Sequence, residues 1–166
     1  MADLEALYRD VVLDHNRRPR NFRRLAAPCG CTDGVNPLCG DRLMVCLRIE
    51  DETVTEAAFE GSGCAISMAS ASMMTEAVTG RSRAEALSLA DTVGAMLRGR
   101  EGSALEGELL ALSAVSAYPS RVKCALLAWE ALRAGLTDGA ARVSTEAQGR
   151  TSEGRPAEQR QARDGH

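Results

Sequence analysis

From about residue 25 to residue 60 the hydrophobic pattern repeats every second residue, and after Gly61 it repeats every three or four. Leu43, Val45, Leu47 and Ile49 alternate with Arg42, Met44, Cys46 and Arg48, which predicts a strand with one buried face. Asp51-Glu52 predicts a turn, so that residues 53–59 return as an antiparallel partner. A third strand is expected over residues 31–35, although Gly30 and Gly34 weaken it. Beyond Gly61 the expectation is helical. Residues 65–79 place Ile66, Ala69, Met73 and Ala77 on one face, with Gly80 as the stop. Ser82 and Glu85 form a capping-box pattern that opens a helix to about Arg98, with Ala86, Leu89, Val93 and Met96 or Leu97 inward. A shorter piece is expected over residues 105–112. The last helix is expected from near Ser120 to Gly135, carrying Val122, Leu126, Trp129 and Leu132 or Arg133. Ahead of the strands, residues 3–15 read as a helix capped by Asp3, with Leu4, Leu7, Tyr8, Val11 and Val12 in one stripe. Pro19 stops the chain from continuing it. The fold class is therefore α+β: a small antiparallel three-stranded sheet packed against a helical half.

The 166 residues suit one domain. Residues 137–166 contain no Leu, Ile, Phe, Met, Trp or Cys, so a domain over 1–136 followed by a disordered tail is expected. With 20 basic and 23 acidic residues and no long run of one sign, the chain has no basic face for nucleic acid. Its apolar runs are too short to cross a bilayer, and its N-terminus lacks the pattern of a signal peptide. A cytoplasmic protein is expected. In a reducing compartment the six cysteines point to metal ligation or thiol chemistry rather than to disulfides. The five aromatics leave the core to Leu, Ala, Val and Met, a sparse core that ligation free energy would help to stabilise.

Three motifs each place a cysteine beside a turn or a helix start. In Asn36-Pro37-Leu38-Cys39-Gly40-Asp41, Pro37 and Gly40 shape a tight loop that can present Cys39 and Asp41 from one side. In Gly61-Ser62-Gly63-Cys64 the thiol opens a helix, where unpaired N–H groups favour the thiolate. In Arg121-Val122-Lys123-Cys124 the thiol is expected in the first turn of the last helix, flanked by two cations. Three thiolates and a carboxylate complete a tetrahedral metal site, most suitably for zinc, and Arg121 and Lys123 would offset part of its negative charge. A single buried cysteine is ordinarily a small hydrophobe. Cys29, Cys31 and Cys46 are left in that structural role. His166 lies in the tail, and His15 is expected to cap the carbonyls that end the first helix. No Ser-His-Asp arrangement, phosphate-binding glycine loop or HExxH motif supports a hydrolase or a nucleotide-binding enzyme.

These motifs, with His15 and Pro19-Arg20-Asn21 before them and Gly63-Cys64-Ala65-Ile66-Ser67-Met68-Ala69-Ser70-Ala71-Ser72 between, occur in order across about residues 3–135. The chain so resembles the NifU N-terminal/IscU-like family of iron–sulfur cluster assembly proteins, and within it the SufU branch. IscU-type scaffolds have a histidine where this chain has Lys123, and lack the extra helical segment between Cys64 and Cys124. The resemblance implies a zinc-dependent sulfurtransferase with zinc held by Cys39, Asp41, Cys64 and Cys124. It also implies a SufS-like pyridoxal-phosphate cysteine desulfurase as partner, whose persulfide sulfur passes to Cys39, and a SUF scaffold complex downstream. Cys39, on its Pro-Gly loop, is the ligand expected to move, and Arg121 is expected to steer the sulfur or contact the desulfurase. Two alternatives stand beside this: a scaffold binding iron or a [2Fe–2S] cluster at the same residues, and a non-enzymatic structural zinc module.

Overall fold

The computed structural model describes residues 2–100, 105, 107–137 and 142–144. The expected α+β architecture is present. Helix α1 (Ala2–Arg17) leads to strands β1 (Gly30–Asn36), β2 (Asp41–Glu50) and β3 (Thr53–Ser62). Helices α2 (Ala65–Val78), α3 (Arg83–Leu97), α4 (Glu108–Ala111) and α5 (Pro119–Thr137) follow, with a 3₁₀ segment (Leu112–Ala117) between the last two. The three strands form an antiparallel meander with Asn36 opposite Asp41 and Arg42 opposite Ser62. Asp51 and Glu52 both adopt positive φ in the β2–β3 turn. A short fourth strand, β4 (Arg142–Ser144), runs parallel to β1 and extends the sheet in a segment expected to lack structure. The rest of the expected tail lies outside the described residues.

One face of the sheet carries Leu43, Val45, Leu47, Ala57 and Phe59 into the core, where they meet Met74, Leu127, Trp129 and Leu132. Each of the Leu, Val, Phe and Met side chains contributes about 1.5–3 kcal/mol on leaving water. The other face is not left to solvent. Cys46 and Ala58 are buried beneath Leu25 in a second, smaller cluster bordered by Cys29 and Met44. Residues 21–23 also run beside β3: the Phe59 N–H donates to the Asn21 carbonyl and the Arg23 N–H to the Phe59 carbonyl, both at 3.0 Å. That segment and β4 cover the two edges of the meander, which would otherwise offer unpaired backbone groups. Cys31 and Cys46, left separate by the sequence reading, face each other across β1 and β2 with Cα atoms 4.0 Å apart and are joined as a disulfide.

Helix α2 departs furthest from its expected amphipathic pattern. Every residue from Ala69 to Thr75 is buried, as is Ser67, because the helix lies between α1, α5 and the sheet. Its buried polar residues each have a specific partner. Ser70 donates to the Ala125 carbonyl (2.7 Å) and accepts from Trp129 Nε1 (3.0 Å). Ser72 Oγ accepts the Arg20 N–H (2.8 Å) and lies 2.6 Å from His15 Nδ1. His15 therefore does not cap α1. It is fully buried, and its Nε2 lies 2.6 Å from Glu108 Oε1, so the ring ties α1 to α2 and α4. The capping box at Ser82 and Glu85 forms as expected.

At the end of β3, Gly61 has φ +137°, and a Cβ there would overlap the Arg42 carbonyl and lie 2.9 Å from Leu43 Cα. Gly61→Ala is expected to cost about 3 kcal/mol or more, whereas Gly30→Ala, with open space around it, stays within about 0.5 kcal/mol. Urea unfolding of the two variants measures the contrast.

Candidate metal centre

The β1–β2 turn brings the first two candidate ligands together. Cys39 N–H (3.2 Å) and Gly40 N–H (2.8 Å) both donate to the Asn36 carbonyl, and Gly40 takes φ +80°, which an L side chain would resist. Cys39 is thereby exposed at the tip of the turn, while Asp41, at the first position of β2, is buried. The β3–α2 junction holds the carboxylate of Asp41. Cys64 N–H donates to Oδ1 (3.0 Å) and the Ser67 hydroxyl to Oδ2 (2.6 Å). A Cβ on Gly63 would stand 3.1 Å from both the Asp41 carboxyl carbon and Oδ1, so the bare backbone lets the carboxylate approach.

Cys64 is the N-cap of α2, and its sulfur accepts the Ser67 N–H at 3.4 Å. Cys124 comes from α5. Because that helix starts at Pro119, Cys124 falls in its second turn rather than the first, and it is fully buried. Its Sγ lies 3.5 Å from Cys39 Sγ. Ligand atoms of Cys39, Asp41 and Cys124 all fall within 4.8 Å of one another. Cys64 falls outside this trio, and its charge acts on Cys124.

The electrostatics correct one expectation. Helix-end and cationic stabilisation of a Cys124 thiolate is not what the surroundings provide. Burial pushes the thiol up first, followed by the hydrogen bond it shares with Cys39, the charge of Cys64 and the charge of Asp41. The crowding of sulfur donors and a carboxylate around Cys124 raises its proton affinity, and a divalent cation among them would reverse that effect. The donor set thus fits a thiophilic divalent metal with a tetrahedral preference. Arg121 stands in the first turn of α5, exposed. With Cys64, Tyr8, Ile66 and Tyr118 it lines a cavity of about 540 Å³. Burial raises the Tyr8 hydroxyl, and the Arg121 charge opposes that rise.

The family profile described as NifU-like N terminal domain matches residues 7–146. The chain belongs to this family. It is 43% identical over 137 residues to the zinc-dependent sulfurtransferase SufU of Bacillus subtilis, covering 81% of this chain and 92% of that one. It is 41% identical over 141 residues to an iron–sulfur cluster assembly scaffold protein IscU of Streptococcus pyogenes, covering 80% and 84%. Among solved structures, the SUF-system protein FiSufU of Fervidobacterium islandicum superposes with a TM-score of 0.74 at 29% identity, covering 80% of this chain and 98% of that one.

Within this NifU-like domain, two residues at the centre received no role from the sequence. Ser67 lies three positions after the cap residue Cys64, so its hydroxyl faces back towards the N-terminus of α2 and reaches Asp41. Asn36 is fully buried, with Nδ2 3.9 Å from Cys124 Sγ. The Ser67 position was legible as one helical turn beyond the cap, but its target was not, because Asp41 is distant in sequence. Ser67→Ala frees one oxygen of the Asp41 carboxylate and is expected to lower zinc affinity about 10–100-fold, measured by competition with a chromophoric chelator.

Proposed function

We propose that this chain is a zinc-dependent sulfurtransferase in iron–sulfur cluster assembly, accepting persulfide sulfur from a cysteine desulfurase on Cys39. The observation that carries the reading is the difference between its clustered thiols. Cys39 is exposed on a turn, whereas Cys124, 3.5 Å away, is fully buried. A sulfur acceptor has to be reached by a bulky donor, and of these two thiols only Cys39 can be. Relatedness to the Bacillus subtilis sulfurtransferase over most of both chains supports the same reading.

Cys39, Asp41, Cys64 and Cys124 would hold the zinc. When bound, zinc keeps its sulfur ligands deprotonated at neutral pH and takes no part in redox chemistry. The chain's own residues do the rest. Cys64 N–H and Ser67 hold the Asp41 carboxylate in one orientation. The Asn36 carbonyl gathers the turn that presents Cys39 at its exposed tip. In the transfer, the Cys39 thiolate attacks the outer sulfur of the donor persulfide. A new S–S bond forms on Cys39 as the donor's S–S bond breaks, and the donor cysteine leaves as thiolate. One S–S bond forms as one breaks and the transferred sulfur keeps its oxidation level, so no external oxidant or reductant is required. The cavity lined by Tyr8, Tyr118 and Arg121 opens beside Cys64 and gives a donor segment a place to rest, with Arg121 available to an anionic sulfur. A pyridoxal-phosphate desulfurase is the natural donor.

The test is metal content and sulfur acceptance by the purified protein and by Cys39→Ala. The expected result is one zinc bound per chain and stimulation of a SufS-like desulfurase that disappears in the variant. Mass spectrometry should find one added sulfur atom on the Cys39 peptide. Iron with acid-labile sulfide in place of zinc, or full stimulation by Cys39→Ala, would overturn the proposal.

A further inference from the structure

One fully buried polar side chain beside the centre, that of Asn36, is neither a candidate ligand nor a sulfur acceptor. Asn36 ends β1, and the backbone oxygen of Asn36 accepts both hydrogen bonds that shape the Cys39 turn. Its side chain plays no part in those bonds. Instead the carboxamide points to the sulfur cluster, with Nδ2 3.9 Å from Cys124 Sγ. Oδ1 of the same group is buried and has no hydrogen-bond partner among the described residues. Burying an unpaired amide oxygen costs stability, and an apolar side chain of similar size would have avoided that cost. The amide therefore needs an explanation beyond packing, and its one hydrogen-bond partner among the described residues is the Cys124 sulfur.

We propose that Asn36 is a positioning residue whose Nδ2–H donates to Cys124 Sγ and thereby directs electrophiles to Cys39. This rests on the reading of the cluster as a metal-binding sulfur-transfer centre. The reverse orientation of the carboxamide would set its oxygen lone pairs against a thiolate. A donated N–H draws charge from the sulfur that accepts it and lowers its reactivity towards an incoming sulfur or carbon electrophile. Cys39 Sγ has no such amide, and Cys124 Sγ is its only hydrogen-bond neighbour among the described residues. The two thiols are thus distinguished twice: by exposure, and by the Asn36 amide.

The first test uses the wild-type chain loaded with a spin-active cadmium isotope in place of zinc. The expected result is a scalar coupling between the cadmium nucleus and one Asn36 Hδ2 proton, carried through the N–H···S bond. Cadmium bound one to one without that coupling would overturn the role of Asn36. The second test is competitive alkylation of the zinc-loaded protein with iodoacetamide, read by peptide mass spectrometry. In Asn36→Ala the preference for Cys39 over Cys124 is expected to fall about tenfold, the effect of losing a hydrogen bond to a charged group. An unchanged preference would overturn the proposal even if the variant were less stable, because a purely structural role lowers stability without changing which sulfur reacts. Failure of the wild type to bind either metal would instead overturn the function on which the proposal rests.

Discussion

The structure depends on the burial of α2 together with its hydroxyl groups. A helix enclosed on nearly every side is normally apolar, because each unpaired hydroxyl in the interior destabilises the fold. Here Ser67, Ser70, Ser72 and Thr75 are all fully buried. They are tolerated because each reaches a defined group on another element. Ser67 reaches Asp41 on β2, and Ser70 reaches the Ala125 carbonyl and Trp129 on α5. Ser72 reaches His15 and the Arg20 backbone, and Thr75 accepts from Asn21 at 3.0 Å. Hydrophobic burial brings the layers together but does not by itself fix their register. The hydroxyls do, since a small slip of α2 would leave several of them unpaired at once.

That register is also what assembles the metal centre. Cys64 caps α2, Ser67 lies one turn further along, and Cys124 and Ala125 face the same helix from α5. The Ser67 hydroxyl lies 2.6 Å from the Asp41 carboxylate and 3.1 Å from the Cys124 carbonyl, so one side chain sets both ligand-bearing elements at a fixed distance. Its single proton goes to the nearer, charged oxygen. The centre is therefore continuous with the core rather than attached to it. Metal binding and the packing of α2 against α5 should be coupled energetically, as in other domains whose ligands are drawn from different elements.

Much of this was legible in the sequence, and the reasons for the rest are physical. Periodicity located the β2 strand because Leu43, Val45 and Leu47 face one core, and the capping box at Ser82 and Glu85 is a local signal that no tertiary contact had to supply. The motifs around Cys39, Cys64 and Cys124 were visible as cysteines at junctions. Local patterns could not show what depends on distant partners. His15 looked like a helix cap because its neighbours in sequence are a helix end, yet its partners are Ser72 and Glu108. Cys31 and Cys46 looked independent until the strand register set them opposite each other. The cover over Cys46 and Met44 could not be seen either, because alternation says nothing of a loop that folds over the second face. The raised proton affinity of Cys124 likewise comes from burial and from groups on three other segments, not from the helix start that the sequence suggested.

The division between fixed and movable parts of the centre follows from how each ligand is attached. Asp41 is held by a backbone N–H and a hydroxyl, and Cys124 sits inside a nineteen-residue helix whose face is buried. Cys64 is constrained by its own capping bond to Ser67. Cys39 donates its own N–H to the Asn36 carbonyl, beside the Gly40 N–H on the same oxygen, and its sulfur meets only Cys124 Sγ among the described residues. A displacement of the turn spanning residues 37–40 would therefore change the position of one sulfur while the other three candidate ligands keep their bonds. An acceptor thiol needs that freedom, because it must be protected between encounters and accessible during one. The pairing of an exposed sulfur on a four-residue turn with ligands rooted in the core supplies both conditions without any larger motion of the domain.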